Sequence, residues 1–256
     1  MNRTLPLAIA VLASSSSVAL AQGSAGFNHE GSTISLGFNF HNDGDGDPYS
    51  ENYTTQLTAQ SAYSFGQNLG AIVSLAYSRE QYSDDLYSER FVLDLNPTYA
   101  LGDLEVGAFL STISRKRNGD TLNYSSYGAT ASYDAGPVGL EAFAGTYDED
   151  GFEYDIYGIA GSYDISSDLG GYLAYRRDSY DSDSYDASVT LGASYNLASA
   201  TGMPVTISGE LSRFIGSNLS FSESEWNQFS ILASYDIGGG VDSVFRGLRG
   251  WSYYYD

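Results

Sequence analysis

A short segment ending in tyrosine recurs six times, and this repeat constrains the fold more than any other feature of the sequence. The copies are Ser61-Ala62-Tyr63, Pro97-Thr98-Tyr99, Ala131-Ser132-Tyr133, Gly161-Ser162-Tyr163, Ala193-Ser194-Tyr195 and Ala233-Ser234-Tyr235. Successive tyrosines are 30 to 40 residues apart, a spacing that is regular but not that of a strict solenoid. A turn-forming stretch follows each copy, after which alternating side chains resume. The sequence therefore predicts a series of β-hairpins.

Side chains alternate in character along each predicted strand. In the stretch 71–78 the odd positions are Ala, Val, Leu and Tyr, whereas the even positions include two serines. From 91 to 99 the odd positions are Phe, Leu, Leu, Pro and Tyr, and Asp, Asn and Thr stand between them. Because successive side chains of a strand point to opposite faces, one face of the sheet is apolar and the other is small and polar.

The predicted connections differ in length at the two ends of the hairpins. Tight turns alternate with longer, acidic connections at 41–50, 79–86, 115–123, 148–153, 176–184 and 214–225. A water-soluble sandwich would have similar turns at both ends. Short turns at one end, long loops at the other and strands of about ten residues are typical of a transmembrane β-barrel. We therefore predict an all-β fold, an antiparallel transmembrane barrel.

The tyrosines support this prediction because they gather near both ends of the strands. Two rings of amphipathic aromatic side chains are expected where a barrel crosses the two bilayer interfaces. The six repeat tyrosines would form the ring at the short-turn end. The ring at the other end would contain Tyr53, Tyr77, Tyr87, Tyr147 and Tyr175.

With these strand ends and Tyr235-Asp236-Ile237-Gly238-Gly239-Gly240, the chain resembles the porins of Gram-negative outer membranes, particularly the compact, Gly- and Asp-rich alphaproteobacterial type. The resemblance covers residues 22–256. It implies a passive channel for ions and small hydrophilic solutes, with short periplasmic turns, longer acidic extracellular loops and assembly as a homotrimer. The alternative is a non-conducting barrel with a structural or adhesive role.

The N-terminal segment has the layout of a secretory signal peptide. Arg3 supplies a positive charge, residues 5–13 are apolar, and Ala19-Leu20-Ala21 has the small residues of a cleavage site. We expect removal of residues 1–21 on export to the outer membrane, leaving 22–256 as the barrel.

The repeat also predicts the number of strands. Six repeat strands, each preceded by a partner strand and beginning with one at Thr33, make twelve. Fourteen is the alternative, because bacterial barrels have an even strand count. Residues 241–256 are left over, and a tail, a thirteenth strand or an incomplete last hairpin all remain open.

Charge indicates which solutes the channel favours. The 32 acidic residues against 11 basic ones exclude nucleic acid as a partner, since phosphate binding needs clustered Lys and Arg. A charge on the lipid face costs about 2–4 kcal/mol near the bilayer midplane, so charged residues on strands are expected to face water. The predicted charged pore-lining residues are Arg90, Asp94, Glu105, Glu141 and Glu210. Acidic groups prevail among them, and rings of Asp and Glu favour cations, so we predict weak cation selectivity.

The consecutive basic residues Arg115, Lys116 and Arg117 form a predicted basic cluster at the outer mouth of the barrel. One interpretation makes them one wall of a field across the pore, or a contact for the phosphates of lipopolysaccharide in the surrounding outer-membrane lipid. The other makes them solvated loop charges that pair locally. The sequence leaves both open.

The alternating carboxylates Asp43, Asp45 and Asp47 match the start of a calcium-binding loop. Pro48 stands where the sharp-turn Gly is needed, and Thr54 where a bidentate Glu is needed. An EF-hand is therefore not predicted, and a weaker surface clasp for calcium or magnesium remains the alternative.

No enzyme and no cofactor are predicted. The chain has no Cys, which excludes a cysteine nucleophile and thiolate metal sites. Some outer-membrane barrels are lipid hydrolases with a Ser–His pair, but neither His29 nor His41 is accompanied by such a serine motif.

Overall fold

A computed structural model of the chain describes residues 27–43, 53–81, 87–117, 120–149, 152–180, 184–218 and 221–238, together with Val241 and Phe245. Twelve strands close into an antiparallel barrel in which sequence neighbours pair and β1 pairs with β12. The predicted fold class and the count of twelve are confirmed, and the alternative of fourteen strands is wrong. The strands are β1 Phe27–Asp43, β2 Tyr53–Phe65, β3 Leu69–Gln81, β4 Tyr87–Leu101, β5 Leu104–Arg117, β6 Asp120–Ala135, β7 Val138–Glu149, β8 Phe152–Asp164, β9 Leu169–Ser179, β10 Tyr185–Asn196, β11 Val205–Asn218 and β12 Phe221–Gly238.

At one end of the barrel, which we call the short-turn end, even-numbered strands lead directly into odd-numbered ones. The connections 102–103 and 136–137 are tight turns, and Gly102 and Gly136 adopt left-handed φ values of 70° and 69° that glycine accepts without steric cost. The connection 197–204 is longer and contains one helical turn, Ala198–Thr201. Among the described residues, no helix is long and apolar enough to cross a membrane.

At the opposite end, which we call the long-loop end, the strands extend further than the sequence indicates. Arg115 pairs with Leu122 and Phe214 with Trp226, so much of the expected loops 115–123 and 214–225 is strand. Ladder hydrogen bonds between backbones do not depend on side-chain hydropathy, so pairing continues through polar sequence. Asp43 ends β1, whereas Asp45 and Asp47 lie outside the described residues.

The two faces of the sheet follow the predicted alternation. Outward side chains are apolar and exposed, as for Leu173, Leu191 and Leu211, whereas inward side chains such as Ser111 and Ser126 are fully buried and polar. An apolar outside with a polar inside is the arrangement expected of a barrel in lipid.

The six repeat tyrosines all lie within the last four residues of even-numbered strands, on the outward face at the short-turn end. The second expected ring needs one correction. Tyr147 points inward and is buried, because it shares the inward phase of β7 with Phe143. Tyr53 and Tyr87 are exposed on the outward face at the long-loop end.

Candidate functional site: the barrel lumen

A cavity of about 590 Å³ lies inside the barrel at the short-turn end. Its walls come from strands on several sides of the barrel, and most of the side chains end in a hydroxyl, an amide or a carboxylate. Such groups form hydrogen bonds with water and with hydrophilic solutes. They include Thr33, Ser35, Gln60, Ser208, Ser234 and Asp236.

Hydrogen bonds between neighbouring strands organise this polar wall. The hydroxyls of Ser35 and Ser234, which face each other across β1 and β12, are 2.8 Å apart. Thr33 Oγ1 donates to Asp236 Oδ1 at 2.7 Å. These pairs form because the strand register sets inward positions side by side, and they stabilise the closing seam of the barrel.

The predicted acidic residues lie on the inward face at different heights. Asp94 is fully buried, and the hydroxyl of Ser111 donates to its Oδ2 at 2.5 Å. Glu105 and Glu141 both pair in register with Ser132, so two carboxylates flank one serine near the short turns. Glu210 accepts a hydrogen bond from the hydroxyl of Tyr172. Their role in ion passage stays a prediction.

The predicted basic residues separate onto two faces. Arg90 pairs in register with Arg115, whose Nε donates to Ser88 Oγ at 3.2 Å on the inward face. Arg117 follows the same phase, whereas Lys116 stands between them on the outward face and is exposed. Because side chains alternate along a strand, three consecutive basic residues cannot share one surface.

A buried ion pair lies on the inward face of β9, where the sequence pattern predicts a loop. Arg176 donates from Nε and Nη2 to the two carboxylate oxygens of Asp178, at 2.8 and 3.0 Å. Beyond it, the hydroxyl of Tyr180 donates to Asp186 Oδ2 at 3.2 Å. Residues two apart on a strand share a face, so the spacing of Arg176 and Asp178 is compatible with a pair on one side of the sheet. The pair is not predicted because the sequence pattern indicates a loop at 176–184.

Burial and the nearby Asp186 carboxylate raise the pKa of the Tyr180 phenol well above its usual range. The group is therefore protonated and acts as the donor in its bond to Asp186.

Comparison with known proteins decides the family. A family model described as Gram-negative porin matches residues 25–183. The chain belongs to the Gram-negative porins. A comparison with curated proteins found no match.

Two solved structures of the KdgM porin share its fold at low sequence identity. The KdgM porin is 10% identical, with a TM-score of 0.57 over 79% of this chain and 98% of that one. The KdgM porin in complex with disordered oligogalacturonate is 9% identical, with a TM-score of 0.55 over the same shares. The anion-selective porin from Comamonas acidovorans is 11% identical, with a TM-score of 0.45 over 82% of this chain and 99% of that one.

The porin family and the closed barrel make this protein an outer-membrane channel for small solutes. The family to which the chain belongs is one of channels.

One wall of this porin's lumen is apolar, which the sequence analysis did not predict. Inward aromatic side chains on β5 to β8 form a buried cluster, in which Phe109 meets Phe143 edge-on at 6.1 Å and Tyr147 stacks on Tyr154 at 4.7 Å. The Phe109 ring lies over Gly128, where an added Cβ would stand 2.6 Å from it. The hydrophilic wall therefore lies mainly on the other strands.

Proposed function

We propose that this porin is a weakly cation-selective channel for passive diffusion of ions and small hydrophilic solutes. The observation that carries the proposal is the distribution of charge along the lumen. Glu105, Glu141 and Asp236 face inward near the short turns. An ion that crosses must pass this acidic end, where carboxylates attract cations and repel anions.

The inward-facing arginines lower the preference for cations without reversing it. Arg90, Arg115 and Arg117 face inward toward the long-loop end, and the buried Arg176 is neutralised by its bond to Asp178. An anion attracted to the arginines still meets the acidic end. We therefore expect a small preference for cations rather than strict exclusion of anions.

The hydroxyl-rich cavity supports passage of neutral hydrophilic solutes. A hydroxyl donates or accepts a hydrogen bond, so the wall can replace part of a solute's hydration shell in any orientation. Such exchange solvates a passing molecule without holding one particular ligand.

The test is the reversal potential of single channels in a salt gradient. The wild type should prefer cations, and the double variant Glu105→Gln/Glu141→Gln should shift the potential toward anions. Asp155→Asn is the matched control because Asp155 is exposed on the outward face of β8, and it should leave the potential unchanged. Anion preference in the wild type, or no conductance from correctly folded protein, would overturn the proposal.

Export and assembly complete the proposed function. Residues 1–21 are removed, the short turns face the periplasm, and the barrel forms a homotrimer in contact with outer-membrane lipid and lipopolysaccharide. The N-terminal pattern of charged, apolar and small residues supports the cleavage. N-terminal sequencing of the mature protein should begin at Gln22, and native mass measurement should give three copies.

A further inference from the structure

Val241 follows the last strand in sequence and lies in the lumen. β12 ends at Gly238, which has a left-handed φ of 73°. The backbone N–H of Val241 donates to Thr33 Oγ1 at 2.8 Å, and Thr33 in turn donates to Asp236. Val241 also lines the lumen cavity. This residue is therefore fixed on the inner side of the seam between β1 and β12.

Phe245 lies against a different wall. Its ring meets Phe143 of β7 edge-on, with centroids 4.9 Å apart at 85°, and packs against the buried aromatic cluster. Gly158 of β8 lies beside both rings, since an added Cβ there would stand 2.4 Å from the Phe143 ring and 3.0 Å from the Phe245 ring. In the closed strand order, β7 and β8 lie across the barrel from β1 and β12.

Two residues that are close in sequence thus contact opposite walls of one lumen. We infer that Phe245 is a constriction residue, which sets the size limit for solutes by holding an aromatic ring inside the channel. The inference rests on the proposed diffusion function. The edge-on contact with Phe143 favours one position of the ring, so the constriction has a defined geometry.

The first test measures single-channel conductance and the swelling of protein-loaded liposomes in a series of neutral sugars of increasing size. Phe245→Ala should raise conductance by roughly twofold and admit larger sugars, because pore diameter limits passage.

Two control variants separate this effect from general damage. Phe245→Tyr keeps the ring and should retain the wild-type size limit. Phe229→Ala removes an equal ring from the outward face, where Phe229 is exposed, and should also behave as wild type. If the wild type conducts and Phe245→Ala has the same conductance and size limit, the inference is wrong and the proposed function stands.

Two further outcomes test both the constriction at Phe245 and the proposed diffusion function. A silent wild type beside a conducting Phe245→Ala would support the constriction and contradict steady diffusion through the wild type. Silence of both, in folded protein, would overturn both proposals.

A second test measures the position of Val241 beside Thr33, independently of channel conductance. The chain has no cysteine, so Thr33→Cys combined with Val241→Cys would introduce a single thiol pair. Oxidation of the folded barrel should join them, because the hydrogen bond from the Val241 backbone N–H to Thr33 Oγ1 holds the two residues side by side. Thr130→Cys with Val241→Cys should remain unlinked, since Thr130 is on the inward face of β6, five strands away from β1 in the closed barrel. Failure of the first pair to form a disulfide would overturn the placement.

Discussion

Tyr172 reaches across a neighbouring strand to donate its hydroxyl hydrogen to Glu210. The two residues stand on β9 and β11, and both pair in register with Gly192 on β10 between them. An added Cβ at Gly192 would stand 2.3 Å from the Tyr172 ring. The missing side chain therefore permits the bond that holds a lumen carboxylate in place.

Gly192→Ala should displace the Tyr172 ring and break its bond to Glu210. Because the group that must move is the end of a flexible side chain, we expect the loss in the free energy of unfolding to be that of the hydrogen bond alone, about 1.5–3 kcal/mol for a bond to a charged group. Denaturant unfolding in lipid vesicles would measure it. Tyr172→Phe should give a similar loss, and a Gly192→Ala variant as stable as wild type would contradict the prediction.

At Gly128, unlike Gly192, the atoms nearest to an added side chain cannot move aside. An added Cβ at Gly128 would stand 2.2 Å from the carbonyl oxygen of Ala144 and within 2.6 Å of Phe109. Since the backbone itself must shift, Gly128→Ala should cost about 1–3 kcal/mol, the usual range for overpacking. Gly209→Ala is the control, because no atom lies within 4 Å of its added Cβ. Equal stability of the two variants under the same denaturant would show that the close approach at Gly128 is not limiting.

Two ion pairs on different faces of the barrel should differ in their contribution to stability. Asp178→Ala leaves buried Arg176 without its bidentate partner and should cost about 3–5 kcal/mol. Glu225→Ala breaks the bond to Arg213 on the outward face, where both side chains are about half exposed, and should cost at most about 1 kcal/mol. Unfolding curves of the two variants provide the comparison, and a larger loss for Glu225→Ala would contradict it.

A charge on the outward face tests membrane insertion. Leu191 is 61% exposed near the middle of β10, so Leu191→Arg should lower stability in lipid by about 2–4 kcal/mol. Val138 begins β7 at the short-turn end, and Val138→Arg should cost only about 0–1 kcal/mol. Reversible folding into vesicles would give both values. Equal losses of stability for the two variants would contradict the depths in the bilayer assigned to Leu191 and Val138.

Much of the fold could be predicted because strand alternation is a local property. The repeat tyrosines marked the strand ends next to short turns, and each strand's apolar phase could be assigned from its own residues. The phase error at Tyr147 arose where Phe and Tyr occupied inward positions, since an aromatic residue alone does not distinguish lipid from a packed interior. Strand ends at the long-loop end were also missed, because backbone pairing there continues through polar residues.

The lumen was less predictable, because its contacts join residues distant in sequence. Glu210 was selected for its charge, but its partner Tyr172 became apparent only when β9 and β11 were placed either side of Gly192. Closure of the barrel likewise brought Thr33 beside Asp236 and Val241.

The sequence by itself determined the hairpin count, the outward apolar face and the inward position of the main charged residues, because a two-residue period fixes the face of every side chain on a strand. The tertiary structure alone decided what the lumen contains. The aromatic wall depends on which strands are neighbours, and the position of Phe245 depends on which strands face one another across the closed barrel. Both are set by register and closure rather than by any single strand.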